Sequence, residues 1–236
     1  MDREIKENAI VLKAEDSGDY DRILTMLSIN RGLIKAKIKG VKKPKAKLSF
    51  ASFPFALGEY IFVKTGNNFN TVINCNFIDN FIDLTYDLNK FYAGSAVLEI
   101  TRIIAKENQA CTGIFVSLLK VLQDLTYTNK NMIALLTKYV LDGLEFCGLA
   151  INMDVNLKMD TQAYFNYEIG LVTNEHSEES IILNEVDVNS LALLLSGDES
   201  IIDEGVKTSK NLLKLITNYF ETKIDERFEV LEKFCG

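Results

Sequence analysis

The sequence predicts an α+β protein in which a small N-terminal β-barrel precedes an α-helical bundle with a small irregular insertion. Two patterns support this fold class. Over residues 1–80, short runs of alternating apolar and polar side chains are separated by turn residues, which is typical of β-strands. From Asp79 onward, apolar residues recur every three or four positions, which is typical of amphipathic helices. The charge changes at the same point, from net +4 over residues 1–80 to net −11 over residues 81–236.

Two short apolar runs, residues 8–14 and 20–28, open the chain, and turn-forming residues follow each of them. In the next run, residues 34–39, apolar side chains alternate strictly with lysines. Because successive side chains of a strand point to opposite faces, Lys35, Lys37 and Lys39 are predicted to project from one face. A helix would distribute the same lysines around its circumference, and Gly40 is expected to end the strand.

Residues 55–64 are apolar on both strand faces, whereas residues 69–77 have one polar face. Gly66, Asn67 and Asn68 supply turn chemistry between them. Five short strands at these intervals fit a small closed barrel, and the five-stranded OB-fold is the natural candidate. Residues 1–80 are therefore predicted to form an OB-fold domain that binds nucleic acid.

Helical periodicity covers residues 84–103, 114–122 and 135–144, and the third helix is expected to end near Gly148. Two further helices are predicted over residues 188–195 and 209–223. The polar segment 152–179 lacks this period and contains a strand-like stretch. The predicted domains are a helical bundle built from residues 81–151 and 180–236, and an insertion at residues 152–179.

The segment from Arg31 to Lys47 holds eight basic residues and no acidic one, although the whole protein is net acidic. Such a local excess of positive charge attracts polyanions and predicts phosphate contacts. We call these eight residues the basic track. It comprises Arg31, Lys35, Lys37, Lys39, Lys42, Lys43, Lys45 and Lys47. The candidates for base stacking nearby are Phe50, Phe53 and Tyr60, each of which also suits a core position.

Signals of catalysis are missing from the sequence. The chain has one histidine, four widely spaced cysteines without a C-x-x-C pair, and no P-loop, G-x-S-x-G or dinucleotide-binding fingerprint. We therefore expect no catalytic residues, no metal and no cofactor, with mostly buried, reduced thiols. Neither a signal-peptide core nor an apolar run of about 18 residues occurs, which predicts a cytoplasmic protein.

Two consecutive segments carry a family resemblance. DYDRILTMLSINRGLIKAKIKGVKKPKAKL, followed by FASFPFALGEYIFV, resembles the N-terminal OB-fold of the RecO recombination mediators: an acidic-then-Arg element, an R-G turn, a basic strand ending in K-G and a cationic loop. The resemblance continues more weakly through LTYDLNKFYAGSAVLEITRIIA, KYVLDGLEFCGLAINMD and VNSLALLLSGD. The linear order of these features carries the resemblance, since no single motif is as specific as a P-loop.

The resemblance implies a DNA repair protein of the RecF pathway that is not an enzyme. Such a protein binds and anneals single- and double-stranded DNA. With RecR it helps to load RecA onto strands coated by single-stranded-DNA-binding protein, whose C-terminal tail is a further partner. It also implies a nucleoid-associated protein of the bacterial cytoplasm.

The insertion departs from the family pattern. Many members carry a four-cysteine zinc module there, but Asn156, Met159, Thr173 and His176 occupy the aligned positions. One imidazole without thiolates cannot form a tetrahedral zinc site. We therefore expect the insertion to keep its shape by packing alone.

Two other functions compete with this one. An OB-fold regulatory subunit could bind RNA or DNA without mediator activity. A metal-dependent nuclease could use Asp16, Asp19 and Asp21, although no base is placed beside them by a motif. Alternatively, Asp19, Asp21 and Arg22 pair with one another at the strand entry as a structural salt bridge.

Overall fold

The structure is a computed structural model that describes residues 4–65, 69–197 and 208–235. The chain divides into two compact units. The first contains the residues up to Ile82 together with Thr101–Leu119. The second contains Asp83–Ile100 and the residues from Lys120 onward. None of the described helices is both long enough and apolar enough to cross a membrane.

Five strands of the first unit form a closed barrel in the order β1-β2-β3-β5-β4. Four of the strand pairings are antiparallel and one is parallel. The strands are β1 (Ile5–Ser17), β2 (Asp21–Ser28), β3 (Gly32–Ile38), β4 (Leu57–Thr65) and β5 (Phe69–Asp79). β4 pairs with β1 and so completes the ring, while β3 and β5 form the parallel pair. The predicted five-stranded, OB-like barrel is confirmed.

The period of two in β3 is present in the structure. Ile34, Ala36 and Ile38 are buried in the barrel core, and Lys35 and Lys37 lie on the outer face. Lys39 was wrongly assigned to the strand. The ladder with β2 ends at the pair Arg22↔Ile38, so Lys39 already belongs to the following loop.

Tyr60 fills the barrel core rather than offering a surface for base stacking. Its side chain is fully buried, and its hydroxyl donates a hydrogen bond to the Ala51 carbonyl at 3.0 Å. Ala51 lies in a short 3-10 helix, Ser49–Ser52, that follows the basic loop. β4 begins later than predicted, because Phe55 adopts a φ of 72°, which lies outside the β region.

The turn between β2 and β3 depends on Gly32. This glycine has a φ of +65°, and a Cβ atom there would lie 2.1 Å from the Lys106 carbonyl oxygen and 2.4 Å from that of Gln109. The Leu33 N–H donates to the same Lys106 carbonyl at 3.0 Å. The segment 106–109 is therefore held directly against the turn, at a distance that only glycine allows.

The described residues beyond the barrel form six α-helices. They are α1 (Leu88–Ile104), α2 (Thr112–Tyr127), α3 (Met132–Phe146), α4 (Glu185–Leu195), α5 (Lys210–Ile224) and α6 (Glu229–Cys235). Five were predicted, and the seven-residue α6 is too short to show a period. The first predicted helix began too early, since a 3-10 helix, Ile82–Tyr86, precedes α1. α3 and α5 pack closely because Gly143 leaves room for the Phe220 ring.

The insertion forms a four-stranded sheet in the order β6-β8-β7-β9. Its strands are β6 (Asn152–Met153), β7 (Ala163–Asn166), β8 (Leu171–Thr173) and β9 (Ser180–Leu183). The segment is thus more regular than its sequence indicated, and its last strand lies beyond residue 179. On one side, Phe165 packs edge-on against Tyr219 of α5, with ring centroids 5.2 Å apart.

Hydrogen bonds from one amide tie the insertion's loops together. The Asn174 side chain accepts from the Lys158 N–H at 2.7 Å and donates to the carbonyls of Lys158 and Gln162 at 3.1 and 3.0 Å. Asn174 stands between two positions where a zinc ligand was considered, Thr173 and His176. The His176 ring instead contacts Tyr164 edge-on at 5.2 Å. Packing is therefore supplemented by a specific polar cross-link.

The cysteines are less uniformly buried than expected. Cys75 is buried in the barrel, Cys111 is half-buried and Cys147 is exposed. Burial raises the pKa of the Cys75 thiol to about 11, so this thiol stays protonated at neutral pH.

We predict that Gly32→Ala destabilises the protein far more than Gly18→Ala. Both glycines have a positive φ, but a Cβ at Gly18 meets nothing within 4 Å, whereas at Gly32 it meets two carbonyl oxygens. The Gly18 variant should lose about 1–2 kcal/mol from backbone strain, and the Gly32 variant should lose about 3 kcal/mol or more. Urea unfolding of both variants measures this difference. Equal losses would show that the close approach of residues 106–109 is not maintained.

We also predict that Asn174→Ala lowers the free energy of unfolding by about 1–3 kcal/mol, because three hydrogen bonds of one amide are lost. Asn156→Ala is the matched control, since the Asn156 side chain is exposed and makes no hydrogen bond to a described residue. A zinc chelator should leave the melting temperature of the intact protein unchanged. A melting temperature that falls on chelation, or equal stability of the two variants, contradicts the proposed role of Asn174.

Candidate nucleic-acid interface

The basic track follows the outside of β3 and continues into the loop after it. Arg31 lies at the turn before the strand, Lys35 and Lys37 lie on its outer face, and the remaining lysines lie in residues 39–47. At about 3.3 Å per residue, the strand alone extends for roughly 20 Å. The fold thus arranges the eight cations in a row instead of collecting them at one point.

Acidic residues at the end of β1 and at the start of β2 bind two of the track's lysines. Lys37 Nζ lies 2.9 Å from the Asp21 carboxylate, and Lys42 Nζ lies 2.6 Å from that of Asp16. The N–H of Gly40 donates to Asp21 at 2.8 Å, and this bond, followed by the one from Lys37, lowers the pKa of Asp21. The pKa of Asp16 is lowered first by its hydrogen bond from Lys42. These contacts fix the basic loop to the barrel.

Arg31 is bound by a buried carboxylate. Glu7 of β1 is only 6% exposed, and it accepts from Arg31 Nε at 2.8 Å, from the Ser28 hydroxyl at 2.8 Å and from the Asn30 amide at 3.0 Å. A buried carboxylate needs this number of donors to offset its lost hydration. Arg31 therefore has a structural role in addition to its charge.

Five lysines of the track form no ion pair with any residue that the structure describes, and all five are exposed. We call them the unpaired set. They are Lys35, Lys39, Lys43, Lys45 and Lys47. Lys43 Nζ lies over the Tyr20 ring, 5.2 Å from its centroid. Because no carboxylate has to be displaced from them, these side chains are the most available to an incoming phosphate.

Arg22 pairs differently from the prediction. Its guanidinium binds Asp16 at 3.3 Å and the Ser52 carbonyl at 3.0 Å, while Asp21 pairs with Lys37. The guanidinium carbon also lies 4.4 Å from the centroid of the Phe53 ring. The expected structural salt bridge is present, but its acid is Asp16.

Exposed aromatic side chains lie beside the loop. Phe53 is half-exposed, and Phe50 and Phe77 meet edge to face with centroids 5.5 Å apart. Phe50 and Phe53 were candidates from the sequence, whereas Phe77 was not, because the alternation of its strand placed it with the core side chains. Rings of this kind give bases a surface for stacking.

Further cations on the barrel were also missed. Lys13 of β1 donates to Glu15 at 2.9 Å, and this bond is the largest cause of the lowered pKa of Glu15. Arg102 and Lys35 act on the same carboxylate through space. Lys64, near the end of β4, is exposed. An isolated cation at the end of a strand forms no sequence pattern that would predict a place beside the basic track. Only the fold shows that these residues lie near it.

The three aspartates Asp16, Asp19 and Asp21 do not form a metal site. Asp16 and Asp21 are each engaged by lysine, and within the part of the chain that the structure describes, no three His, Cys, Asp or Glu side chains are placed to hold a metal ion. Two of the three carboxylates that were considered for a nuclease, Asp16 and Asp21, instead anchor the basic loop.

Comparison with known sequences gives matches along both units. The family profile described as "Recombination protein O N terminal" matches residues 1–81, and that described as "Recombination protein O C terminal" matches residues 85–232. The barrel and most of the remaining chain are thus covered by consecutive profiles of one family.

Curated relatives agree with these profiles. The DNA repair protein RecO of Acetivibrio thermocellus is 25% identical over 94% of this chain and 95% of its own length. That of Caldanaerobacter subterraneus is 26% identical over 96% of both chains. That of Pelotomaculum thermopropionicum is 33% identical over 55% of this chain and 50% of its own. With the profiles covering nearly every residue, the chain belongs to the RecO family of DNA repair proteins.

Proposed function

We propose that this chain is a DNA-binding recombination mediator of the RecF pathway. It binds and anneals DNA strands without catalysis, and with RecR it assists the loading of RecA. The observation that carries the proposal is the unpaired set, five exposed lysines along one strand and one loop of an OB-like barrel. Family membership supports the repair process, and the unpaired set supports the contact with DNA.

Phosphate contacts from these lysines are independent of base sequence. Each lysine that neutralises a phosphate releases condensed counterions, so binding weakens steeply as salt rises. Lys37 and Lys42 contribute less, because their charges are already balanced by Asp21 and Asp16. The track thus divides into cations that hold the loop and cations that hold DNA.

The exposed aromatic side chains favour binding of single-stranded DNA over duplex DNA. Phe50, Phe53 and Phe77 present ring edges or faces on the same unit as the lysines. Unpaired bases stack on such rings, and each stacked base contributes about 1–3 kcal/mol. A duplex, whose bases are already stacked, gains from the lysines alone.

Annealing follows from the same surface. Two strands come together only when their mutual repulsion is neutralised while their base edges remain available for pairing. Lysine ammonium groups act as point charges on phosphates, and none of the unpaired set is held in a bidentate fork that reads a base. A surface of this composition screens both strands without competing for their base edges.

The proposed protein partners rest on the family alone. They are RecR, the C-terminal tail of single-stranded-DNA-binding protein and, indirectly, RecA. Because such a protein would act on chromosomal DNA, the proposed location is the bacterial cytoplasm, at the nucleoid.

Salt dependence tests the DNA contacts. We predict that Lys35→Gln/Lys39→Gln/Lys43→Gln weakens binding of a single-stranded oligonucleotide and reduces the slope of log K against log salt by about 2, since each contact contributes roughly 0.7. Fluorescence anisotropy over a salt series measures both quantities.

The control carries the same change at exposed lysines of the second unit: Lys158, Lys214 and Lys233. It has the same net charge as the test variant, so any difference between the two reports the position of the charges. Equal slopes in the two variants would mean that the unpaired set is an ordinary solvated surface.

Annealing of complementary strands tests the mediator role. The intact protein should accelerate annealing without nucleotide or metal, both on bare strands and on strands coated with single-stranded-DNA-binding protein. The variant Lys35→Gln/Lys39→Gln/Lys43→Gln, which we call the unpaired-set variant, should lose both activities. If the protein anneals bare strands but does not anneal coated strands and does not bind RecR, it is a regulatory DNA-binding subunit instead.

A further inference from the structure

The barrel of the first unit contains a cavity of about 370 Å³ at the end where β3 begins and β4 ends. We call it the mouth cavity. Its walls include three cations, Arg31, Lys35 and Lys64, together with the amides of Asn70 and Asn108. Its volume lies in the range of small-molecule pockets, about 300–1,000 Å³. Lys64 lies outside the basic track, so the cavity joins part of the track to a separate cation.

Arg31 is prepared for a ligand by its buried partner. Glu7 takes only the Nε–H of the guanidinium, at 2.8 Å. The terminal nitrogens of Arg31 make no hydrogen bond to any residue that the structure describes, which leaves four N–H donors beside the cavity. Because Glu7 is itself held by Ser28 and Asn30, the guanidinium keeps a fixed orientation. Fixed donors bind an anion at a lower entropic cost than mobile ones.

The charge of the cavity suits one phosphate. Arg31, Lys35 and Lys64 contribute three positive charges, while Glu7 and the lining residue Glu107 contribute two negative ones. The remainder of about +1 matches a phosphodiester, which carries one negative charge. The amide side chains of Asn70 and Asn108 add neutral donors.

One wall of the cavity is held in place by backbone contacts. Glu107 and Asn108 belong to the segment that is held against the Gly32 turn, through the bond from Leu33 N–H to the Lys106 carbonyl. Gly32 permits this approach because it has no Cβ. The cavity is therefore a formed site rather than a transient gap between side chains.

We propose that the mouth cavity is a subsite for one phosphate group of a nucleotide, bound by Arg31, Lys35 and Lys64, with Glu7 as a positioning residue for Arg31. This deepens the proposed DNA-binding function and rests on it. Internal phosphodiesters and a terminal 5′-phosphate share the required chemistry. A terminal phosphate carries about −1.5 to −2 charges at pH 7 and would bind more tightly.

Lys64→Gln in the full chain tests the subsite, with Lys6→Gln as the matched control. Both lysines are exposed residues of the barrel, but Lys6 lies outside the cavity lining. The probes are a single-stranded oligonucleotide of thymidines and the same oligonucleotide with a 5′-phosphate, followed by anisotropy. We expect Lys64→Gln to weaken binding roughly three- to tenfold and to reduce the salt slope by about 0.7. Lys6→Gln should change neither quantity.

The two probes distinguish the sources of the phosphate. If the intact protein prefers the phosphorylated strand and Lys64→Gln removes the preference, the subsite binds a strand end. If both strands lose affinity equally, it binds an internal phosphate. Arg31→Lys, which keeps the charge but loses the fork that Glu7 orients, should also weaken binding, and it provides a second measurement if one variant folds poorly.

The inference is overturned if Lys64→Gln and Arg31→Lys both bind like Lys6→Gln while the unpaired-set variant loses affinity. In that case the proposed function stands without the subsite. If the intact protein binds neither oligonucleotide at low salt, the proposed function itself fails. The two failures are therefore distinct in a single set of titrations.

Discussion

The buried face of β3 is the constraint on which the interface depends. Ile34, Ala36 and Ile38 all lie in the barrel core, so the intervening Lys35 and Lys37 have only the outer face available. A register shift of one residue in β3 would bury two ammonium groups and expose the apolar side chains, which would strongly destabilise the barrel. The same packing that closes the barrel therefore fixes the direction of its positive charge.

Around that strand, opposite charges divide the cations by role. Asp16, Asp21 and Glu7 each bind one member of the basic track, and each of these ion pairs anchors a turn or loop. The lysines left over occupy the outer face and the loop, where they would make the proposed contacts with phosphate. A net acidic protein can thus present a cationic surface, because its acids are placed to shape that surface rather than to cancel it.

Much of this was predictable from sequence, where periodicity reports burial directly. The five barrel strands, five helices and the eight cations followed from local patterns, whereas the four-stranded sheet of the insertion did not. The pairing of Arg31 with Glu7 did not, because 24 residues separate them and only barrel closure brings them together. Lys64 and the short α6 were missed because a single residue or seven residues carry no period. Phe77 was missed because the alternation of β5 assigned it to the core, whereas its side chain is half-exposed. The residues at the four aligned zinc positions showed that the insertion lacks the cysteine ligands, but they did not indicate that Asn174 cross-links its loops.

Asn174 has a consequence for the conditions under which the protein can work. A zinc module held by thiolates is lost when the metal is scarce or when oxidants attack its sulfur atoms. Residues 148–234 contain no cysteine, and an amide with three hydrogen bonds holds the loops of the insertion. This part of the fold therefore has no metal to lose when zinc is scarce and no thiolate for peroxide to oxidise, which leaves Met153 and the exposed Met159 as its oxidisable side chains.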